Sequence, residues 1–228
     1  MKHDTSNNMA NFAAKSITPS GFFGNSEDNI VEILNAVSNE ELNILLPWAR
    51  SNVNFDKTND EFNEDGNLIY QANIWHNRVV TTETFKEYAP HLIPILQNII
   101  FRMKKTIDNF FNVDAKPTGP CIVKWPVGAR QEPHADKEMH EGPDTGKPNA
   151  FPWYDIGTVF YLNDDYEGGE LYFPIQGIEF KPKPGAAYFF PGDKNYIHGV
   201  RPVTSGTRYT LPYFWTIERH LDNENNKV

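Results

Sequence analysis

Apolar residues recur at helical spacing in the first half of the chain and at strand spacing in the second half. The strongest helical pattern runs from Tyr88 to Phe111, where apolar side chains three and four residues apart predict one helix packed against a sheet. Pro90 and Pro94 are expected in or before its first turn. The apolar positions of this pattern are Leu92, Ile95, Leu96, Ile99, Ile100, Met103, Ile107 and Phe110.

Two shorter helices are predicted before this one. The run SEDNIVEILNAV, residues 26–37, places apolar side chains at helical spacing. The next run, SNEELNILLPWAR at 38–50, begins with Ser38 and Glu41, a capping-box pattern that marks the start of a helix. Residues 51–68 are rich in Asn, Asp and Glu and predict a mobile loop.

Short apolar or alternating runs separated by Gly, Pro, Asn and Asp dominate the chain from about residue 119 and predict strands. Many short strands with such turns are typical of a sandwich or a jelly roll. The predicted fold class is therefore mainly β with N-terminal helices (α+β). The runs are CIVKWPV at 121–127, IGTVFYLN at 156–163, GELYFPI at 169–175, GIEFKP at 177–182, GAAYFF at 185–190, YIHGVRPV at 196–203 and RYTLPYFWTI at 208–217.

The length of 228 residues fits a single domain, 1–228. Within it we expect a loose arm over 1–25, in which the phenylalanines of GFFGNS dock on the body, and a tail over 218–228. Between them lie a helical support region over 26–118 and a β core over 119–217. A long polar loop at 137–154 interrupts the strands and is expected to act as a lid or substrate-binding loop.

Composition narrows the class of function. The formal net charge is −9 and the sequence pI is about 5.2, so we expect no nucleic-acid partner, because an acidic chain repels phosphate backbones. The single cysteine, Cys121, excludes an intramolecular disulfide and a multi-thiolate metal site. No stretch has the length and apolarity of a membrane span or of a signal peptide. We therefore expect a soluble intracellular, cytoplasmic protein without a membrane partner.

The stretch EPHADK, residues 132–137, carries the first candidate chemistry. Positions i and i+2 of a strand share a face, so His134 and Asp136 are expected to project into one space. His198, in the late run YIHGV, is the best candidate for a third ligand, because early and late strands of a sandwich can meet across the barrel. His140 in the polar loop is a weaker candidate. Two imidazoles and a carboxylate on one side of a metal are the arrangement of non-haem Fe(II) oxygenases.

Arg208 strengthens this interpretation. It stands ten residues after His198 among apolar and aromatic neighbours, where a guanidinium needs a carboxylate or phosphate partner. Each of these residues taken singly also fits a structural role. A zinc hydrolase would use the same three ligands but would leave Arg208 unexplained.

With these residues in view, roughly residues 119–217 resemble the 2-oxoglutarate- and Fe(II)-dependent dioxygenases, specifically the prolyl 4-hydroxylase-like branch. The family fold is a double-stranded β-helix, a cupin-like jelly roll flanked by N-terminal helices, in agreement with the predicted elements. The resemblance rests on HAD at 134–136, FYLNDDYEGGELYFP at 160–174, PKPGAAYFFPGD at 182–193 and HGVRPVTSGTRY at 198–209.

The resemblance implies a role for each matching residue. His134, Asp136 and His198 would be the catalytic iron ligands, and Arg208 would pair with the distal carboxylate of 2-oxoglutarate, to which Tyr161 would add a hydroxyl hydrogen bond. Trp125 departs from the pattern, since many relatives have a tyrosine there. An indole lacks the acceptor of a phenol, so the contacts on that side of the pocket are expected to differ.

The implied function is hydroxylation of a prolyl residue in a peptide or protein. It would consume dioxygen and 2-oxoglutarate, release succinate and CO2, and use ascorbate as a reductant. The same chemistry on another residue type or on a free amino acid is the first alternative. A non-catalytic jelly-roll binding module is an alternative of another class. Arg78, in IWHNRVV at 74–80, is a possible substrate contact or a structural residue.

Overall fold

The structure is a computed structural model that describes residues 18–52, 54–62, 64–66, 68–119 and 121–217. Within these ranges the helical elements lie before residue 112, apart from one short 3-10 turn. The α-helices are α1 (Asn39–Ser51), α2 (Thr82–Tyr88) and α3 (Ile93–Phe111). Short 3-10 helices cover Glu27–Asn29, Ala72–Trp75, Pro90–Leu92 and Lys194–Tyr196.

Strands make up the rest of the regular structure, and the pairings between them are antiparallel. Those before α3 are β1 (Val31–Ile33), β2 (Glu61–Phe62), β3 (Leu68–Tyr70) and β4 (Val79–Val80). Those after it are β5 (Ala115–Pro117), β6 (Ile122–Trp125), β7 (Gln131–His134), β8 (Ile156–Tyr161), β9 (Tyr166–Gly168), β10 (Leu171–Phe173), β11 (Ile178–Phe180), β12 (Ala187–Pro191), β13 (His198–Val200), β14 (Val203–Gly206) and β15 (Arg208–Ile217).

Two sheets form the body of the described structure. The larger has the order β1-β12-β8-β15-β6-β4, with β5 paired to one end of β15. The smaller has the order β11-β10-β13-β7. Aromatic side chains join the two sheets: Phe173 of β10 lies 5.0 Å from Phe190 of β12, measured between ring centroids. The prediction of a mainly β fold with preceding helices, built as a jelly roll, is confirmed.

Helix α3 covers the outer face of the larger sheet. Its buried side chains are Leu96, Ile99, Met103 and Ile107, four of the positions that the apolar pattern selected. They belong to the main hydrophobic cluster together with Phe160, Leu211 and Trp215 of the sheet. A periodic apolar stripe is buried in this way because it removes the largest area of apolar surface from water. The larger sheet, which carries Arg208, is thereby supported from behind.

The boundaries of the predicted long helix need a correction. The segment Tyr88–Phe111 is not one helix, because α2 ends at Tyr88, a 3-10 turn follows, and α3 begins only at Ile93. Proline lacks a backbone N–H and restricts the residue before it, so Pro90 ends the preceding helix. Pro94 lies in the first turn of α3, as expected. Helix α1 starts with the predicted capping box of Ser38 and Glu41.

The helix predicted over residues 26–37 is wrong. A 3-10 turn is followed by strand β1, which pairs with β12 at the edge of the larger sheet. Leu34, one of the positions in the helical pattern, is 58% exposed, and Asn35 adopts a positive φ of 55°. Backbone pairing with an open sheet edge therefore prevails over a short helical pattern in this segment.

Two predicted loops are also partly structured. Residues 51–68, predicted as a loop, contain β2 and the first residue of β3, which pair as a small hairpin. Residues 1–17 of the predicted loose arm lie outside the described residues, and so does the predicted tail, 218–228. In the described part of the arm, Thr18 is buried and Phe23 packs on Phe111, with 4.5 Å between ring centroids. This part of the arm is docked, and the docking predicted for the phenylalanines is found at Phe23.

Within the described residues, no helix combines the length and the apolar character needed to cross a lipid bilayer.

The packing of α3 against the larger sheet predicts a large cost for a cavity at its centre. Replacing Ile99, which is 0% exposed, with alanine is expected to lower the free energy of unfolding by about 2–5 kcal/mol, measured by urea denaturation. The matched control is Phe101→Ala on the same helix, where the side chain is 57% exposed and the change should stay within about 0.5 kcal/mol. Equal losses in the two variants would contradict the packing.

Candidate active site

Two histidines lie opposite each other at one end of the smaller sheet. His134 is the last residue of β7 and His198 is the first of β13, and the two are paired in the register of these neighbouring strands. Their ring centroids are 4.4 Å apart. The sequence predicted that they meet across the barrel, whereas they are neighbours within one sheet. Cross-strand pairing fixes their separation more tightly than packing across a barrel would.

Asp136 completes the cluster from a bend, not from a strand. Strand β7 ends at His134, so the predicted strand geometry is wrong for Asp136, yet its carboxylate still turns toward the histidines. The Nε2 atoms of His134 and His198 each lie 3.7 Å from Asp136 Oδ1. One ligand atom from each of the three residues falls within 4.8 Å of the others, a spacing that can hold a metal ion. Among the described residues this is the only such group.

The hydrogen bonds of the two imidazoles favour metal binding. His134 Nδ1 lies 3.0 Å from the Glu132 carbonyl oxygen, and His198 Nδ1 lies 3.1 Å from the Tyr196 carbonyl oxygen. A carbonyl oxygen only accepts, so each Nδ1 carries the proton and donates it. Each Nε2 is then unprotonated, with its lone pair on the side of Asp136, which is the arrangement of metal-binding histidines.

The charges of the cluster are poorly compensated by the protein itself. Asp136 is 7% exposed, and its Oδ2 atom has no hydrogen-bond partner within the described structure. Burial raises the pKa of Asp136 to about 8, lowers that of His134 to about 4 and lowers that of His198 well below its usual value. A divalent cation would stabilise the carboxylate and the neutral imidazoles together. The donor set and the unpaired oxygen therefore fit a metal ion.

Space beside Asp136 depends on Gly157 of β8. A Cβ atom at this position would lie 2.6 Å from Asp136 Oδ2 and 2.9 Å from the Phe190 ring. Glycine is therefore needed where the strand approaches the carboxylate. The cluster is open on the side of His134, whose side chain is 26% exposed, compared with 8% for His198. Ligands can reach the cluster from the His134 side.

Gln131, at the start of β7, also contacts the cluster. Its Nε2 amide lies 3.1 Å from His134 Nε2. The amide is the donor in this bond, because the imidazole proton is on Nδ1. This bond has to break when His134 binds a metal.

Arg208 is the first residue of β15 and so belongs to the larger sheet. Only 1% of it is exposed, and its Nη2 donates to the Tyr161 hydroxyl over 3.0 Å. Its Nε and Nη1 atoms are buried without a partner in the described structure. A buried guanidinium with free donors is costly unless a carboxylate or phosphate satisfies them. The structure thus brings Arg208 and Tyr161 together, as the family resemblance implied, and Arg208 keeps free donors for an anion.

Trp125 forms one wall of this anion pocket. It faces Arg208 in the register of β6 and β15, and the guanidinium carbon lies 4.6 Å from the centre of the indole. The indole N–H donates to the Thr210 hydroxyl over 2.9 Å, so it is not free for a ligand. Trp125 therefore gives this pocket a stacking surface and no free hydrogen-bonding group.

Sequence reasoning missed Tyr166 of β9. It is 3% exposed, and its hydroxyl has no hydrogen-bond partner within the described residues. Burial raises the pKa of Tyr166 to about 12, and the positive charge of Arg208 acts in the opposite direction. A tyrosine among Asp and Glu in a turn-like run gave no signal in the sequence, since only the folded chain brings it to Arg208.

The other histidines and the predicted lid do not contribute ligand atoms to the cluster among the described residues. His140 is not part of the group of converging ligand atoms. The predicted lid begins with Lys137, which is 3% exposed and donates to Asp155 and to Thr18, so this end of the loop is fixed to the body. Of the remaining histidines, His76 and His91 are exposed, and His3 and His220 lie outside the described residues.

Comparison with known proteins identifies the family of the β core. The sequence model of the 2OG-Fe(II) oxygenase superfamily matches residues 122–216. Residues 122–216 belong to this superfamily. The histidines, the aspartate, Arg208 and Tyr161 all lie inside this oxygenase domain.

Curated relatives include prolyl 3-hydroxylases. The chain is 34% identical to prolyl 3-hydroxylase 1 of Gallus gallus over 84 residues, which cover 34% of this chain and 12% of the relative. It is 34% identical to prolyl 3-hydroxylase 3 of Mus musculus over 92 residues, which cover 36% of this chain and 12% of the relative. The match to these curated relatives thus spans about an eighth of their length. The resemblance of the oxygenase domain to prolyl hydroxylases is confirmed.

Solved structures share the fold over most of the chain. A prolyl hydroxylase from Trichoplax adhaerens, in complex with a hypoxia inducible factor peptide fragment, superposes with a TM-score of 0.56 at 16% identity over 96% of each chain. The viral collagen prolyl hydroxylase of Paramecium Bursaria Chlorella virus-1, in its 2OG complex, gives a TM-score of 0.55 at 16% identity over 85% of this chain and 98% of the other. The double-stranded β-helix is therefore the fold of the oxygenase domain.

The convergence of the three ligand atoms predicts a loss of metal binding on removal of one of them. His198→Ala is expected to weaken Mn²⁺ binding to the purified protein by more than the roughly 10–100-fold that loss of an outer-shell partner causes, measured by isothermal titration calorimetry. His91→Ala, at an exposed position on the 3-10 turn before α3, is the control and should bind Mn²⁺ as the parent protein does. Unchanged binding by folded His198→Ala would remove this residue from the site.

Proposed function

We propose that this protein is an Fe(II)- and 2-oxoglutarate-dependent dioxygenase that hydroxylates a prolyl residue in a peptide or protein. The observation that carries the proposal is the convergence of His134, Asp136 and His198 on one point within 4.8 Å. Two neutral imidazoles and one carboxylate leave further metal positions open for small ligands, which is the arrangement used by non-haem Fe(II) oxygenases. The superfamily match over residues 122–216 supports the same chemistry.

His134, Asp136 and His198 would hold the iron. When bound, Fe(II) supplies the redox chemistry by which dioxygen and 2-oxoglutarate are converted to succinate and CO2 while one oxygen atom enters a C–H bond of the substrate. The chain fixes the ligands: the Glu132 and Tyr196 carbonyl oxygens orient the imidazoles. Gly157 leaves the space that the Asp136 carboxylate occupies.

Arg208 and Tyr161 would bind the distal carboxylate of 2-oxoglutarate. The Nε and Nη1 donors of Arg208 are buried and unused, so a carboxylate would satisfy them at little extra desolvation cost. The Tyr161 hydroxyl accepts from Arg208 and still has its own proton to donate to the same carboxylate. Charge and hydrogen bonds at this wall would therefore orient the co-substrate relative to the metal ligands.

Aromatic residues beside the site support a peptide substrate. The loop between β7 and β8 carries Phe151 and Tyr154, whose rings stack at 5.0 Å, and Tyr70 packs on Phe151 at 4.9 Å. The loop ends next to the cluster, since a Cβ atom at Gly192 would lie 2.1 Å from the Tyr154 carbonyl oxygen and 3.1 Å from the Asp136 Cβ atom. Aromatic surfaces of this kind bind extended, proline-containing peptides. The similarity of the domain to prolyl hydroxylases points to the same substrate class.

The direct test combines the purified protein with Fe(II), ascorbate, 2-oxoglutarate and a panel of proline-containing peptides under air. We expect succinate together with a peptide that has gained one oxygen atom. Succinate without an oxidised peptide would retain the dioxygenase and reject these substrates in favour of another residue type or a free amino acid. Failure to bind both Fe(II) and 2-oxoglutarate would favour a non-catalytic module.

The position of the hydroxyl group is a second outcome of the same experiment. The curated relatives are prolyl 3-hydroxylases, whereas one solved neighbour is a prolyl-4-hydroxylase from Pseudomonas putida. Acid hydrolysis of the product and chromatography against 3- and 4-hydroxyproline standards will distinguish the two carbons. Following the resemblance of the motifs, we propose carbon 4.

Arg208→Met is expected to raise the KM for 2-oxoglutarate by roughly 10- to 100-fold, because a hydrogen bond to a charged group contributes about 1.5–3 kcal/mol. The control is Arg201→Met. Arg201 also lies over an aromatic ring, Tyr172, but it is paired with Glu179 and 49% of its side chain is exposed. A KM in Arg208→Met equal to that of the parent protein would refute the role of Arg208 as the co-substrate anchor.

A further inference from the structure

Arg78 is a second partly buried guanidinium beside the anion pocket. It precedes strand β4, and its Nε and Nη1 atoms donate to the carbonyl oxygens of Lys124 and Ile74 over 3.1 and 2.8 Å. Its Nη2 atom is buried and has no hydrogen-bond partner within the described structure. The backbone bonds hold the group in place, so the free donor has a fixed position.

Arg78 and Arg208 contact the same indole. The guanidinium carbon of Arg78 lies 4.7 Å from the centre of the Trp125 ring, and that of Arg208 lies 4.6 Å from it. The two cations are therefore at most about 9 Å apart, and the charge of Arg208 contributes to the lowered pKa of Arg78, after burial as the larger cause. Repulsion over such a distance in a partly dry site disfavours the empty pocket.

These two arginines also differ from the other described arginines because neither forms an ion pair with a carboxylate there. Six arginines lie within the described residues, and the other four each form an ion pair with a carboxylate. Arg78 and Arg208 have none there, and each keeps a buried donor that is unused. The paired arginines are Arg50 with Asp165, Arg102 with Glu41, Arg130 with Glu132 and Arg201 with Glu179.

We propose that Arg78 is a second anion-binding residue of the co-substrate pocket, which together with Arg208 holds the distal carboxylate of 2-oxoglutarate. This inference rests on the proposed function. The indole N–H of Trp125 is bound to Thr210 and cannot donate to the carboxylate, whereas Arg78, whose guanidinium carbon lies 4.7 Å from the centre of the same indole, has an unused Nη2 donor. A carboxylate between the two guanidiniums would satisfy their free donors and cancel their repulsion.

The alternative is a packing role, in which Arg78 only stacks on Trp75 and Trp125 and supports β4. Trp75 lies 5.2 Å from the Arg78 guanidinium carbon, so such a role is physically available. The two roles predict different effects of Arg78 on ligand binding. A packing residue affects every ligand of the pocket alike, whereas an anion-binding residue affects only those ligands that carry the distal carboxylate.

The test compares 2-oxoglutarate with 2-oxopentanoate, which has a methyl group in place of the distal carboxylate. Binding of each to the Mn²⁺-loaded protein is measured by calorimetry, for the parent protein and for Arg78→Met. We expect Arg78→Met to weaken 2-oxoglutarate binding roughly tenfold or more and to leave 2-oxopentanoate binding within about twofold. Arg201→Met is the control and should change neither affinity.

Equal losses for the two ligands, or no loss for either, would overturn the proposal and leave Arg78 as a packing residue. Thermal unfolding of each variant verifies its fold. If Arg78→Met does not fold, Arg78→Lys keeps the charge and the aliphatic packing, and a selective loss of 2-oxoglutarate binding in it supports the proposal. A parent protein that binds Mn²⁺ but not 2-oxoglutarate would instead refute the proposed function, and this inference with it.

Discussion

Buried charge without a partner inside the protein is the constraint on which the site depends. Asp136 and Arg208 are both less than a tenth exposed, and each has buried polar atoms that no protein group satisfies within the described residues. They do not form an ion pair with each other in the described structure: Asp136 follows a strand of the smaller sheet and Arg208 begins a strand of the larger one. Such charges destabilise a fold unless a ligand compensates them. The interior of the protein therefore contains a cation-binding carboxylate, Asp136, and a separate anion-binding guanidinium, Arg208. A metal ion and a dicarboxylate bound together would complement these two charges.

The hydrophobic clusters supply the stability that this arrangement requires. Helix α3 and the larger sheet form the main cluster behind the site, and aromatic residues of both sheets form a second cluster between them. Phe190 belongs to the second cluster and also packs on His198, with 4.4 Å between ring centroids. The ring that stabilises the fold thus restrains a candidate metal ligand. Gly157 also links the packing of the fold to the site. Close contact with Phe190 and space for the Asp136 carboxylate both require the absence of a side chain at this position.

Local patterns in the sequence predicted the fold class and selected His134, Asp136, His198 and Arg208 as candidates, because strand alternation, turn residues and the HxD motif are short-range signals. Tyr161 was selected only through the resemblance to a family. The local patterns failed where a long-range contact decides the structure. Within residues 26–37, Val31–Ile33 form an edge strand because β12 offers an edge to pair with. Asp136 reaches the cluster from a bend that follows the last paired residue of β7, His134. Tyr166 and the stacking of Arg78 on Trp125 depend on strand register, which no short segment encodes.

The division of the chain into a catalytic core and a supporting N-terminal part is therefore less sharp than its sequence indicates. The superfamily match begins at residue 122, yet β1 and β4 lie on the two edges of the same sheet that carries Arg208. Arg78 reaches Trp125 only because β4 pairs with β6, with Val79 opposite Val123. The proposed second anion-binding residue thus lies outside the part of the chain that the superfamily model matches. Trp125 lies inside the matched part of the chain and Arg78 outside it, so the contact between their side chains joins the two parts beside the anion pocket.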